Sequence, residues 1–373
     1  MIERPDFRLE VSIGGTSIEV DDALYNNFIL YEILHLGIYF AELRFINRAV
    51  NFREYPFITG SSIQIDIELV IPGTTFTYNF VLYDKTENDD YISLVLIPEI
   101  FATGLGLTKI SKGYNDKIDS IINTIATDIG ITETEIESTS LLAKKYLQLN
   151  QTNFSFIKNN IKYAKNNNSN YLFYIDKNNK LKFYSIAFLR QKKPVYNITT
   201  DFIDGLEIDD KSFSFQLESG FGAKGIYWDW DNGEIKDILY DSSKIEGADK
   251  IGDKIGIDKT FISEFNDIVM LNPIANDIYA PEDYNLAEIE NNVLRKNYFN
   301  VFLRFITAGN LDATPAELVD IDFISSVQNE SNRFYTGEWI IYSAVHQFPI
   351  AGFITSLEIA NASLYSNNNP NIV

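Results

Sequence analysis

Apolar and polar residues alternate over long stretches of this chain, with the period of two that puts one face of a β-strand against a core. Phe7, Leu9, Val11 and Ile13 begin the pattern, and Gly14-Gly15 follows, a pair suited to the positive φ angles of a tight hairpin. Ile18 and Val20 start the return strand. Residues 28–45 are rich in Ile, Leu, Tyr and Phe and read as strand with a kink near Gly37; a short helix over 23–36 is the alternative. The clearest alternation lies in residues 62–71, where Ile63, Ile65, Ile67, Leu69 and Ile71 point one way and Gln64, Asp66, Glu68 and Val70 the other. A slip of one residue would expose that whole row, so its register is firmly set. Pro72-Gly73 turns the chain, and Phe76, Tyr78, Phe80 and Leu82 alternate again. After a polar turn at 87–90, residues 91–97 form another strand. About six strands with hairpin signals predict an antiparallel barrel or sandwich over residues 1–105.

The period then changes. Asn115 or Asp116 is placed to cap a helix carrying Ile118, Ile121, Ile122, Ile125 and Ile129, which ends at Gly130. Residues 131–137 alternate weakly, as a short strand. Thr152 or Asn153 caps a second helix, because each offers a side-chain oxygen to an unpaired first-turn N–H. Phe154, Ile157, Ile161 and Ala164 form its stripe, and the polar run Asn166, Asn167, Asn168, Ser169, Asn170 stops it. Residues 171–175 and 181–184 are strands joined by a turn at Asp176, Lys177, Asn178 and Asn179. These elements make a small α/β domain over 106–194, closed by Pro194.

The strand pattern returns with Ile203, Leu206 and Ile208, then Phe213, Phe215 and Leu217. Gly220, Gly222 and Gly225 form a loop before Ile226-Tyr227-Trp228. Residues 241–281, rich in Lys, Asp, Gly and Pro, read as an irregular insertion. A helix over about 282–297 opens at Pro281, with Glu282 and Asp283 at its positive end and Leu286, Ile289, Val293 and Leu294 as its stripe. Strands follow at 298–308, 317–323, 339–345 and 353–364, and 367–373 is a frayed tail. The second β unit thus spans 195–366, and the predicted class is mainly β with an α+β insert.

Composition narrows the function. The 373 residues suffice for two or three domains with real cores. Lys and Arg total 31 against 52 Asp and Glu, a net charge of −21. Such a surface repels duplex nucleic acid and anionic membrane. There is no cysteine, which excludes disulfides and thiolate chemistry, and only His35 and His346 are present, too few for a multi-histidine metal centre. No cofactor is implied. The N-terminus lacks the apolar core of a signal peptide, and no apolar run is long enough for a membrane helix, so folding in a cytoplasm without membrane insertion is expected.

Candidate chemistry is thin. His346 has Ser343 three residues before it, but the chain contains no G-x-S-x-G nucleophile elbow, so a structural histidine is the expectation. His35, among apolar neighbours, reads as a core or edge histidine. Asp209-Asp210, Asp229 with Asp231, and Asp320 with Asp322 are carboxylate pairs of the kind a glycosidase needs, yet with 52 acids such pairs arise by chance. Asp229-Trp230-Asp231-Asn232-Gly233 lacks the full calcium-loop pattern and reads as a tight turn. Residues 220–225 lack the Lys-Ser/Thr end of a phosphate loop. No catalytic, cofactor or metal residue is assigned.

Three blocks of residues, in order, carry a resemblance. The first is Tyr146, Leu147, Gln148, Thr152, Phe154, Phe156 and Ile157; the hairpin Phe173, Asp176, Leu181 and Phe183 follows. The last holds Gly309, Asn310, Val319, Asp320, Ile321, Asp322, then Trp339, Val345, His346, Phe348, Gly352, Phe353, Thr355 and Leu357. Together they resemble phage baseplate hub proteins of the late control protein D type, which are related to the base of VgrG spikes of type VI secretion. The resemblance implies two antiparallel tail-tube-like β-barrel domains flanking the small α/β domain, with His346 at a strand end of the last hairpin. It also implies a homotrimer with pseudo-sixfold symmetry that joins a sixfold tail tube to a trimeric central spike, beside other baseplate proteins. The spike is expected as a separate partner. DNA would pass transiently through the channel, and the virion would be assembled in a host bacterial cytoplasm; the net charge of −21 alone adds the expectation of an acidic lumen. A glycan-degrading or receptor-binding β-rich tail protein is the alternative.

Overall fold

The structure, a computed structural model, describes residues 5–18, 25–46, 57–141, 143–166, 170–199, 203–210, 222–229, 233–241, 267–270, 286–291, 298–299, 301–322 and 336–361. The N-terminal part supplies β1 (Phe7–Ile13), β2 (Thr16–Ile18), β3 (Tyr25–Ile33), β4 (Phe40–Ile46), β5 (Ser62–Leu69), β6 (Thr74–Glu87) and β7 (Tyr91–Pro98). The middle holds β8 (Lys109–Asp116), α1 (Ile118–Asp128), β9 (Thr134–Ile136), β10 (Lys144–Thr152), α2 (Asn153–Asn160), β11 (Tyr171–Ile175), β12 (Leu181–Ser185) and α3 (Ile186–Leu189). Then come β13 (Tyr196–Thr199), β14 (Asp204–Asp210), β15 (Gly222–Asp229), β16 (Glu234–Asp241), β17 (Asp267–Met270), β18 (Val301–Ala308), β19 (Leu318–Asp322), β20 (Gly337–Pro349) and β21 (Ile354–Asn361).

Thirteen strands form one sheet in the order β14-β18-β21-β20-β3-β4-β7-β6-β5-β1-β2, with β19 on β20 and β13 on β19. The joint between its two halves is β20 against β3, where Ser343 lies opposite Ile33 and Pro349 opposite Asn27. The mainly β class with large antiparallel sheets is as the sequence predicts. The two closed barrels are not: among the described residues the sheet is an open path. The backbone explains this. The edge of β3 must satisfy its N–H and C=O groups. The three-residue β2 is too short to cover the nine residues of β3, whereas β20 runs to thirteen.

Local expectations mostly hold. Ile63, Ile65 and Ile67 are buried in β5. Ile71, expected to continue that row, is instead 84% exposed in the turn before Gly73, which has φ +80°. Gly37, at φ +82°, ends a 3-10 turn over Leu34–Leu36 and forms the predicted kink; the alternative helix is a strand here. The cap of α1 is Lys117 rather than Asn115 or Asp116, both of which belong to β8. Thr152 caps α2 as predicted, its Oγ1 accepting from the Ser155 N–H at 3.1 Å. The pairing of β8 with β10 was not legible in the sequence.

Residues 286–291 are helical, with Ile289 buried. Pro281, Glu282, Asp283, the tail 367–373, Phe213, Phe215, Leu217 and Gly220 lie outside the described residues, as does the 241–281 insertion apart from Asp241 and β17. One apolar core joins the inner face of the N-terminal strands (Leu30, Leu43, Ile65, Phe80) to α1, α2, β11 and β12 (Ile122, Phe156, Phe173, Phe183). A further cluster, with Leu303, Trp339 and Ile359, fills the C-terminal half of the sheet.

Candidate functional site

Where the three parts of the chain meet, the core is polar. In β3, Phe28, Leu30 and Glu32 share the inner face by strand period, so a carboxylate sits where an aliphatic side chain is the rule; Glu32 is fully buried. Two other segments close on it. The tight β11–β12 turn, with Asn179 at φ +59°, brings in Lys177. Lys177 Nζ donates to Glu32 Oε1 at 2.6 Å and its backbone N–H to Oε2 at 3.2 Å. Tyr174 Oη donates to Oε2 at 3.3 Å, and Thr314 Oγ1 at 2.9 Å. From β20, His346 Nε2 lies 3.2 Å from Oε1. Glu32 is thereby tied to residues 145 and 314 positions away.

The protonation states follow from these partners. Burial pushes the Glu32 carboxyl up, but the Lys177 ammonium and hydrogen bonds from His346 and Lys177 outweigh it and hold it at about 2. Burial drives the His346 imidazole below its ordinary value, and the bond to Glu32 only partly opposes this. A neutral ring with its proton on Nε2 donates to Glu32 and leaves Nδ1 to accept from Thr355 Oγ1 at 3.1 Å. Thr355 Oγ1 in turn accepts from the Asn310 N–H at 2.9 Å, fixing the turn after β18. A second ionic group borders the first: Lys182 Nζ reaches Glu317 at 2.7 Å and Asp176 at 3.5 Å. Lys192 joins Glu317 to Glu135, and Tyr184 Oη donates to the Ala316 carbonyl.

This junction ties together β3, the β11–β12 turn and β20. Glu32 and His346 have no exposed surface, so no solute reaches them. A cavity of about 140 Å³ lies nearby, lined in part by His35, Lys158, Lys162, Asn170 and Tyr342. Its cations are already engaged, Lys158 with the His35 carbonyl at 2.6 Å and Lys162 with Glu288 at 2.8 Å.

No protein-family model matches the sequence, and no curated protein matches it either. Solved structures do. The 43 kDa tail protein of prophage MuSo2 from Shewanella oneidensis aligns with a TM-score of 0.61 at 11% identity, over 96% of this chain and 99% of that one. The tail protein from Neisseria meningitidis MC58 aligns at 0.56 and 9% identity, over 96% and 98%. The c3393 protein of E. coli, a type VI secretion component with structural similarity to the T4 tail proteins gp27 and gp5, aligns at 0.50 and 11% identity, over 97% and 80%.

The chain has the fold of phage tail proteins. In this tail-protein fold His346 lies inside β20 and not at a strand end, its ring held between Glu32 and Thr355. His35 is exposed in the 3-10 turn, not in the core, with its ring 6.0 Å from that of Tyr342. Asp320 and Asp322 point outward from β19, while Trp230, Asp231 and Asn232 lie outside the described residues. The sequence pattern does not single out Glu32, and it marks Lys177 only as a turn residue. The signal for Glu32 was its place two residues after Leu30 on a face that is otherwise apolar; Lys177 gave none, because a lysine in a turn is ordinary.

Proposed function

We propose that this chain is a hub adaptor of a tail baseplate, joining a tail tube to a central spike within a virion or a related injection particle. The observation that carries the reading is the likeness to two tail proteins over nearly the full length of both partners, at TM-scores of 0.61 and 0.56. A structural role also accords with the sealed junction, which spends the one tempting histidine on holding segments together. In this reading three copies assemble into a ring with approximate sixfold symmetry, other baseplate proteins dock outside it, and DNA passes through. The net charge of −21 then serves a lumen that does not retain phosphates.

Light scattering on the purified full chain tests the assembly. Three times the chain mass is expected, and a monomer that persists at high concentration overturns the reading. Cryo-electron microscopy of the ring reads its lumen, and a basic lining defeats the passage argument.

A further inference from the structure

Two surfaces of this chain are exposed, apolar and opposite in charge. The first is the β8–β10 ribbon. Along β10, Tyr146 and Gln148 turn inward, while Leu147 and Leu149 point to solvent at 64% and 60% exposure. Leu147 is paired with Gly113, which has no side chain to cover it and open space where one would stand. The two strands carry Lys109, Lys112, Lys144 and Lys145 against Asp116 alone, four positive charges to one negative in a chain of net −21. Lys112 is held by Asp128 at 2.8 Å and Lys144 lies over the Tyr146 and Tyr163 rings; the charges carried by the two strands themselves still sum to net positive.

The second surface is β14, the first strand on the path of the thirteen-stranded sheet, to which the β8–β10 ribbon does not belong. Its sequence DGLEIDD carries four acids and no base. Leu206 and Ile208 are 40% and 44% exposed, beside Leu303 at the rim of the C-terminal core. Among the described residues β14 pairs only with β18, and β10 only with β8. Among the described residues each leaves one strand edge without a partner strand, and such an edge is a template for another strand.

We infer that the β8–β10 ribbon of one copy docks on β14 of the next, as the contact that closes the ring of copies proposed above. Leu147 and Leu149 share the outer face of β10, where Tyr146 and Gln148 turn inward, and Leu206 and Ile208 are both exposed on β14, whose register shifts between Asp204 and Glu207; each surface thus brings two apolar side chains to a shared edge. The charges attract, and burying both pairs removes apolar surface from water. Each pair is exposed in the single chain, so neither covers the other there. Because the two surfaces differ, the contact is head-to-tail and not twofold, and it gives a closed ring when the rotation between copies closes. The inference rests on the ring reading, yet it stands or falls on these residues.

The chain's lack of cysteine makes the test clean. Leu149→Cys together with Ile208→Cys should, on mild oxidation, yield a closed covalent oligomer on a non-reducing gel, while each single variant runs as a monomer. Independently, Lys109→Glu with Lys145→Glu should weaken assembly at least tenfold by analytical ultracentrifugation, and adding Asp204→Lys with Glu207→Lys should restore it. Self-linking of Leu149→Cys alone shows a twofold contact and overturns the inference. An oligomer indifferent to the charge reversals, and not cross-linked by the cysteine pair, overturns it while leaving the ring reading in place. A wild-type monomer at all concentrations overturns both.

Discussion

At the residue scale, Glu32 and Lys177 make the strongest demand on the fold. Removing one partner of a buried ion pair strands the other charge, at a cost of about 3–5 kcal/mol. Glu32→Gln and Lys177→Met should each lower stability by that order in denaturant titration. The pair Glu32→Gln with Lys177→Met should cost clearly less than the two single losses combined. Additive losses would show that the two groups do not interact. The pair also sets an acid limit. The Glu32 carboxyl falls from an ordinary 4.5 to about 2 on folding, so its contribution, about 3 kcal/mol, is complete above 4.5 and lost as pH falls toward 2. The His346 pKa is also lowered on folding, from 6.5, so its share begins to fade once pH drops below 6.5. Melting temperature against pH should therefore decline in two stages, and Glu32→Gln should flatten the lower one. An unchanged lower stage in that variant would mean that Glu32 does not titrate as the geometry requires.

At the scale of elements, alternation determines which residues matter. Ile65 and Ile71 look equivalent in the sequence, yet one is buried in β5 and the other exposed in the β5–β6 turn. Ile65→Ala should cost about 2–5 kcal/mol and Ile71→Ala within about 0.5 kcal/mol, measured by equilibrium unfolding. Equal costs would contradict the register Ile65↔Tyr78. The turn after β18 has a tighter limit. A Cβ on Gly309 would run into the Phe353 ring, which is buried and stacked on Phe348 at 4.3 Å. With no room to yield, Gly309→Ala should lose about 1–3 kcal/mol. A neutral outcome would show that the Phe353 ring swings aside.

At the scale of the molecule, the shared sheet makes the N-terminal strands dependent on the C-terminal ones. Cutting β20 away from β3 bares a strand edge and leaves Glu32 without Lys177 and His346. A fragment of residues 1–105 should accordingly lack a cooperative thermal transition, by circular dichroism. A sharp transition in that fragment would mean that the first β unit folds as a self-contained barrel. The full chain should melt in one step, since apolar core and ionic junction both span its parts.

The sequence by itself determined most strands, the start of α2 at Thr152 or Asn153, the Gly37 kink and the β11–β12 hairpin, because these depend on side-chain period and backbone freedom within a few residues. Its ordered blocks of residues also pointed to the tail-protein fold. Tertiary structure alone decided that β3 takes β20 as a neighbour, so that an open sheet replaces two barrels. It alone brought Glu32, Lys177 and His346 together. Strand pairing and buried charge contacts link residues hundreds of positions apart, and no local period records which edge or which carboxylate will be met.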